Sequence, residues 1–288
     1  MFNHYVITRF NLKLENHFQK DKNGNPTQTE EWLKRRFELF DTYCFPSIQA
    51  QSCQQFKWLV LFDENTPYFY RKRIDSYHLT FPIFHPLFFK TGATFHLMQC
   101  LRNSIISKSD KNKPYILTTR IDSDDAFHID AIKEIQSFFM SYKKECFLNY
   151  NFGIQYDINN RVAVKIRYEN NHFSSRMEKN TGNLETVISY DHTRIDKIDR
   201  VHSIENKTKP MWIEIIHESN ISNTIRLSKP LFKINSIKEF NLNLPLNKRK
   251  ALSFFINYLK KITYDHLASL FAKLGLFNEF KNLIRLCK

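Results

Sequence analysis

Three carboxylates fall within four residues in the segment Arg120-Ile-Asp122-Ser-Asp124-Asp125-Ala126, directly after the apolar run Tyr115-Ile-Leu-Thr-Thr. The run reads as a strand, and the segment beyond Ala126 reads as a helix. At the C-terminal end of a parallel strand, carboxylates lie at the edge where open α/β sheets bind ligands. Like charges gathered there cost free energy unless a cation offsets them, and hard oxygen donors favour Mg²⁺ or Mn²⁺. A metal site is therefore one reading of Asp122 and Asp124. The other is an acidic loop that caps the following helix, since Asp and Ser are common caps.

The elements that must hold this cluster show as an alternation. Residues 1–145 alternate short β-rich runs with stretches of helical period, the pattern of βα units and a mainly parallel sheet. Strands are expected at residues 5–10, 58–63, 82–85 and 115–121. Between them, Trp32, Arg36, Phe37, Phe40 and Cys44 have helical spacing, as do Met98, Leu101 and Ile105, and then Ile129, Ile132, Ile135 and Phe139. Residues 11–29, with Asp21-Lys-Asn-Gly-Asn-Pro26, predict a mobile polar loop. From Cys146 short strands follow at 146–151, 154–157 and 161–168, with a hairpin turn at 157–160, and one more apolar strand at 211–217.

The chain has 288 residues, enough for one large domain or two small ones, and 42% of them are apolar, which argues against disorder. Only five glycines occur, at Gly24, Gly92, Gly153, Gly182 and Gly275. No G-x-G-x-x-G or G-x-x-x-x-G-K-[ST] loop is possible, so both glycine-rich nucleotide loops are excluded. The cysteines Cys44, Cys53, Cys100, Cys146 and Cys287 are odd in number and scattered, which disfavours zinc ribbons and disulfide frameworks and implies a reducing compartment. No apolar stretch suits an ordinary signal peptide or a membrane span, so a cytoplasmic location is expected. The sequons at Asn206 and Asn220 are then chance. The net charge is +14, and residues 248–288 hold nine basic and two acidic residues, or half of that excess. Their apolar residues Leu252, Phe255, Ile256 and Leu259, then Leu267, Leu270, Phe271 and Leu274, predict a basic amphipathic helix pair.

A strand, then D-x-D-D, then a helix resembles the metal-binding motif of GT-A glycosyltransferases. The chain more closely resembles the bacterial rhamnosyl transferase family. The resemblance rests on Val6-Ile-Thr-Arg9-Phe-Asn11, Trp32 with Arg36-Phe37, Pro46-Ser-Ile48, Gln51, Phe56-Lys-Trp58-Leu-Val-Leu-Phe-Asp63 with Thr66-Pro67, Thr119 through Ala126, and Trp212 through His217 with Asn220 and Asn223. These blocks run in order over residues 5–225. The resemblance implies a GT-A-like domain at 1–247, with the basic tail of 248–288 outside it.

It also implies a task for each block. Thr8, Arg9 and Asp63 would face the nucleotide's base and ribose, although Asp63 could equally cap the turn Glu64-Asn-Thr-Pro67. Asp122 would contact the ribose or the metal's water shell, and Asp124 would bind the Mn²⁺ or Mg²⁺ that bridges the donor's phosphates. Arg120 would supplement the metal or only neutralise its neighbours. His217 would complete the metal shell, or else be an ordinary histidine at a strand end. An inverting transfer needs a carboxylate base for the acceptor hydroxyl. The block Asn171-His-Phe-Ser-Ser-Arg-Met-Glu178 resembles a family block and makes Glu178 the first candidate, with Asp191 the second.

Two other classes compete. A basic chain with 15% aromatics invites a nucleic-acid reading, but the aromatics fall mostly in periodic apolar runs and no nucleic-acid module is recognisable. A metal-dependent phosphatase or nuclease also clusters Asp at strand ends. Its further acidic ligands could come from Glu178, Glu185, Asp191 and Glu214, yet the ordered blocks favour the transferase. The tail suits an anionic membrane surface and a glycan or lipid-linked acceptor there, or simply packs on the catalytic domain.

Overall fold

The computed structural model describes residues 1–13, 20–90, 92, 94–220, 223–276 and 278. Strands β1 (Phe2–Arg9), β2 (Lys57–Asp63), β3 (Phe84–Phe89) and β4 (Tyr115–Arg120) are parallel neighbours in the order β3-β2-β1-β4. Parallel strands need crossovers over the sheet's faces. These are α1 (Glu30–Leu39), which runs through a π-helical turn at Phe40–Cys44 into α2 (Phe45–Gln49), then α3 (Tyr68–Thr80) and α4 (Thr94–Lys108).

The period of two along each strand fills both faces. Val6, Trp58, Val60 and Phe62 point to one side, where they meet Phe37 and Phe40, Ile74 and Tyr77 of α3, and Ile132 and Phe139 of α5 (Ala131–Tyr142). Tyr5, Ile7, Leu59 and Leu61 point to the other and meet Leu97, Leu101 and Ile105 of α4.

After the acidic loop the chain forms a two-residue strand, β5 (Ala126–Phe127), before α5 begins at Ala131. The later strands are β6 (Cys146–Tyr150), β7 (Phe152–Asp157), β8 (Val162–Arg167), β9 (Ser175–Lys179), β10 (Val201–Ile204), β11 (Trp212–Ile216) and β12 (Pro230–Leu231). The main sheet is β10-β6-β9-β4-β1-β2-β3, in which β9 alone runs antiparallel to its neighbours. A second sheet, β12-β8-β7-β11-β5, packs its own apolar cluster of Ile154, Tyr156, Ile213 and Ile215. The expected hairpin turn joins β7 to β8, with Asp157 Oδ1 accepting the N–H groups of Asn159 at 2.9 Å and Asn160 at 3.0 Å. Among the described residues the architecture is therefore the expected α/β one, a mainly parallel central sheet flanked by helices.

Two expectations change. Residues 20–26 form a closed turn in which Asp21 Oδ1 accepts the N–H groups of Asn23 and Asn25. The turn is tied to the loop after β11 by Lys22 N–H donating to the Asn220 carbonyl at 3.0 Å and Asn23 Nδ2 donating to the Glu218 carbonyl at 3.0 Å. Residues 14–19 of the expected mobile loop lie outside the described residues. The tail, expected as a helix pair, is one rod over its described length. After the short α6 (Ser236–Phe240), α7 runs unbroken over Lys248–Lys273, and Asn247 caps it by accepting the Lys250 N–H at 3.1 Å. No proline or glycine interrupts those 26 residues, so both apolar groups share one helix. Cys287 lies outside the described residues.

Candidate active site

Parallel pairing of β1 with β4 sets Ile7 opposite Arg120, which brings Arg9 and Arg120 to the same edge of the main sheet. The acidic loop turns there, closed by the Asp125 N–H donating to the Asp122 carbonyl at 3.2 Å. β11 then pairs with β5, opposing Ile213 to Ala126, and the Ile215 N–H donates to Asp125 Oδ1 at 2.9 Å. This pairing carries Glu214 and His217 to the loop across the chain. The result is a cleft of about 690 Å³ lined by Arg9, Arg36, Arg120, Asp122, Asp124, Asp125, His172, Asp191 and Glu214, with Trp32, Tyr168 and Tyr190 as its aromatic walls.

Each carboxylate of the loop has its own cationic or imidazole partner. Asp122 accepts both Nε and a terminal nitrogen of Arg120, at 3.0 and 2.9 Å. Burial alone would raise its carboxyl, but Arg120, His172 and Arg9 outweigh that and hold it far below the usual carboxylate range. Asp124 accepts from Arg36 at 2.9 Å and contacts His217 Nε2 at 2.8 Å. Burial opposes ionisation here too, and Arg36 with His217 brings the carboxyl down to about 2. Asp125 Oδ2 contacts His172 Nε2 at 2.8 Å. Burial is the largest influence on Asp125 and raises it, with Asp124 and Glu214 adding to the rise. Burial is the largest influence on His172 and would lower it, but Asp125, with Asp122 and Glu214, outweighs burial and raises it. Both shifts favour holding a proton between the pair.

The capping alternative for the acidic loop fails. β5 separates the loop from α5, and the three carboxylates bind Arg120, Arg36, His217, His172 and the Ile215 N–H, none of which is an N–H of that helix.

The residues marked in the sequence divide into two groups. Arg9, Arg120, Asp122, Asp124 and Asp191 line the cleft, and His217 is buried against Asp124, with Ser219 Oγ 2.9 Å from its Nδ1. Thr8, Asp63 and Glu178 do not line it. Thr8 is buried and accepts the Trp58 Nε1–H at 2.9 Å, while Asp63 Oδ1 accepts the Asn65 N–H at 2.9 Å within the turn after β2. Glu178 stands opposite Ile116, near the start of β4 and away from the acidic loop. Its two oxygens accept the backbone N–H groups of Glu185 at 3.0 Å and Thr186 at 2.9 Å. Asp191 caps the turn after it, accepting the N–H of Thr193 at 3.0 Å, a bond that heads the influences lowering its carboxyl.

Arg36 and His172 carry no expected role as partners of the acidic loop, and Glu214 only that of a further acidic ligand in the phosphatase or nuclease reading. Arg36 stood at helical spacing after Trp32 and His172 lay inside the block that ends at Glu178. Neither position carried a local signal for contact with Asp124 or Asp125.

The donor chemistry fits a divalent cation. Asp122, Asp125 and His172 each offer one ligand atom, all within 4.8 Å of one another, and two carboxylates with one imidazole suit Mn²⁺ or Mg²⁺. Asp124 and His217 form a second contact beside this group, with Arg36 as third member.

Residues 3–229 match the family described as "Putative rhamnosyl transferase". No curated protein matches the chain in sequence. Among solved structures, S. aureus TarS is similar at TM-score 0.41 and 10% identity, covering 75% of this chain and 37% of that one. TarS 1-349 gives TM-score 0.41 and 8% identity over 74% and 60%, and its complex with UDP gives 0.41 and 11% over 75% and 61%. The chain thus spans less than two thirds of each of these structures. The family match covers most of the chain, so this chain belongs to the family described as "Putative rhamnosyl transferase".

Proposed function

We propose that the cleft transfers a sugar, rhamnose being the one the family name suggests, from a nucleotide diphosphate donor to a hydroxyl of a glycan or lipid-linked acceptor, with inversion. The observation that carries this reading is the meeting of three guanidiniums with the Asp122, Asp125 and His172 cluster in one cleft at the C-terminal edge of β1 and β4. Leaving-group departure puts negative charge on a diphosphate, and fixed cations aimed at that charge lower the barrier. Asp122, Asp125 and His172 would hold a divalent cation, with Asp124 and His217 as the alternative pair beside Asp122. When bound, Mn²⁺ or Mg²⁺ supplies Lewis-acid stabilisation of that charge. Arg120 keeps Asp122 ionised and oriented for the task. The acceptor's proton passes to a carboxylate of the cleft, Asp191 or Glu214. Residues 1–247 form the catalytic part, and the tail at 248–288 rests on an anionic membrane surface at the inner face.

Thermal melting against a panel of nucleotide sugars with Mn²⁺, followed by turnover with and without acceptor, tests the reading. A donor should raise the melting temperature by mass action, sugar should move to the acceptor, and Asp122→Asn should lose both effects. Acceptor-independent hydrolysis of phosphate esters with no transfer would sink it in favour of a phosphatase.

A further inference from the structure

The three arginines at the head of the cleft are unequally paired. Arg120 grips Asp122 through two nitrogens, and Arg36 binds Asp124 while its guanidinium lies over the Trp32 ring, 4.9 Å from the centroid. Arg9, the last residue of β1, lines the same cleft and is partly buried. It makes no ion pair and donates no side-chain hydrogen bond among the described residues. Arg120 foremost, then burial and Arg36, bring its pKa down to about 10, against the opposing pull of Asp122. At neutral pH the group is still charged. A cation held in that position without an acceptor carries a desolvation cost that, among the described residues, only the more distant charge of Asp122 reduces. What completes the arrangement is an anion from outside.

The form of that anion follows from the donors. A guanidinium is a planar fork that matches two oxygens of a phosphate. Two further guanidiniums stand beside Arg9, and the chain has no glycine-rich loop to bind phosphate through backbone N–H groups. We propose that Arg9, backed by Arg36, is the receptor for the donor's diphosphate, so that the chain binds a pyrophosphate group without a divalent cation. This rests on the transferase reading and deepens it, since the sequence resemblance had turned Arg9 toward the base and ribose.

Titration of inorganic pyrophosphate into the full chain in excess EDTA tests the assignment. Saturable binding is expected, and Arg9→Gln should weaken it by about tenfold or more, the loss of one charge-assisted pair. Arg9→Lys keeps the charge without the fork and should fall between the two. Ligand-free Arg9→Gln should melt no lower than the wild type, because it removes an uncompensated charge, so weaker binding would not reflect a damaged fold. If Arg9→Gln does not fold, Arg9→Lys carries the test alone. Absence of binding by the wild type in EDTA, or wild-type affinity in the variants, overturns the proposal. Sugar transfer with Mn²⁺ present would still stand after that result, so the two readings fail separately.

Discussion

Glu178, Asp191 and Glu214 differ in what their oxygens already hold. Glu178 spends both on backbone N–H groups that fix the segment at Glu185 and Thr186. Asp191 is exposed, and its Oδ1 accepts both the N–H and the hydroxyl of Thr193. Glu214 is buried in the cleft wall, takes Gln155 Nε2 on Oε2 at 2.6 Å, and accepts nothing on Oε1 among the described residues. A base needs an oxygen free to face the incoming hydroxyl, which favours Glu214. Glu214→Gln is expected to lower kcat by about 100-fold or more with little change in KM, the usual size for a lost general base. Glu178→Gln should leave kcat near the wild type and lower the melting temperature instead. Steady-state kinetics on the three single variants decides the matter. A collapse of kcat in Asp191→Asn with Glu214→Gln intact would move the role to Asp191.

At the scale of elements, β11 is what delivers Glu214 and His217 to the acidic loop, and its first residue anchors it. Trp212 stacks on Phe173 at 4.6 Å between ring centroids and donates Nε1–H to the Tyr150 carbonyl at 2.8 Å. Its indole lies directly over Gly153 of β7, where an added Cβ would come within 2.2 Å of the ring. Gly153→Ala must therefore push Trp212 out of its stack. Overpacking of this kind costs about 1–3 kcal/mol, and urea unfolding should show that loss together with weaker donor binding, because the displaced strand carries site residues. An unchanged unfolding midpoint would mean that the sheet yields without strain.

The same scale explains what was readable beforehand. β1, β2 and β4 are buried on both faces and stood out as apolar runs. β3 extends to Phe89 through Pro86, which a strand tolerates because β3 is the sheet's edge. β9 was not readable, since Ser-Arg-Met-Glu-Lys has no apolar alternation. Its polar groups are met by neighbours, as with Ser175 Oγ, 2.8 Å from Thr119 Oγ1. The cluster at 122–125 announced itself by density of charge. His172 did not, because it reaches the loop from 47 residues away and a lone histidine carries no mark of such contact, while His217, 93 residues away, was marked only by the family resemblance.

For the whole molecule, the question is where the positive charge goes. Within the described residues of α7 only Ala251 is buried, while Phe254 and Phe255 are half-buried against the body. At 100° per residue, Leu252, Ile256, Leu259, Leu267, Leu270 and Leu274 fall in an arc of about 80°. All six are exposed, and Lys248, Arg249, Lys260 and Lys273 flank that arc. No helix among the described residues is long and apolar enough to cross a membrane. A leucine stripe edged by lysines suits the plane of an anionic bilayer instead. The double variants Leu267→Asn with Leu270→Asn and Lys260→Glu with Lys261→Glu should each reduce co-sedimentation with phosphatidylglycerol vesicles, the second more strongly at low salt. Equal sedimentation of all three proteins would reject the membrane contact.

The position of β9 also dictates an order of events during synthesis. β1, β2 and β3 can pair as soon as they leave the ribosome, and β4 can add to β1. The other edge of β4 stays open until Lys179 has emerged, and Asp125 lacks its β11 partner until Ile216 has followed. A nascent chain stalled between those two points would lack the pairings that close the cleft, so the cleft is among the last parts of the fold that can be completed.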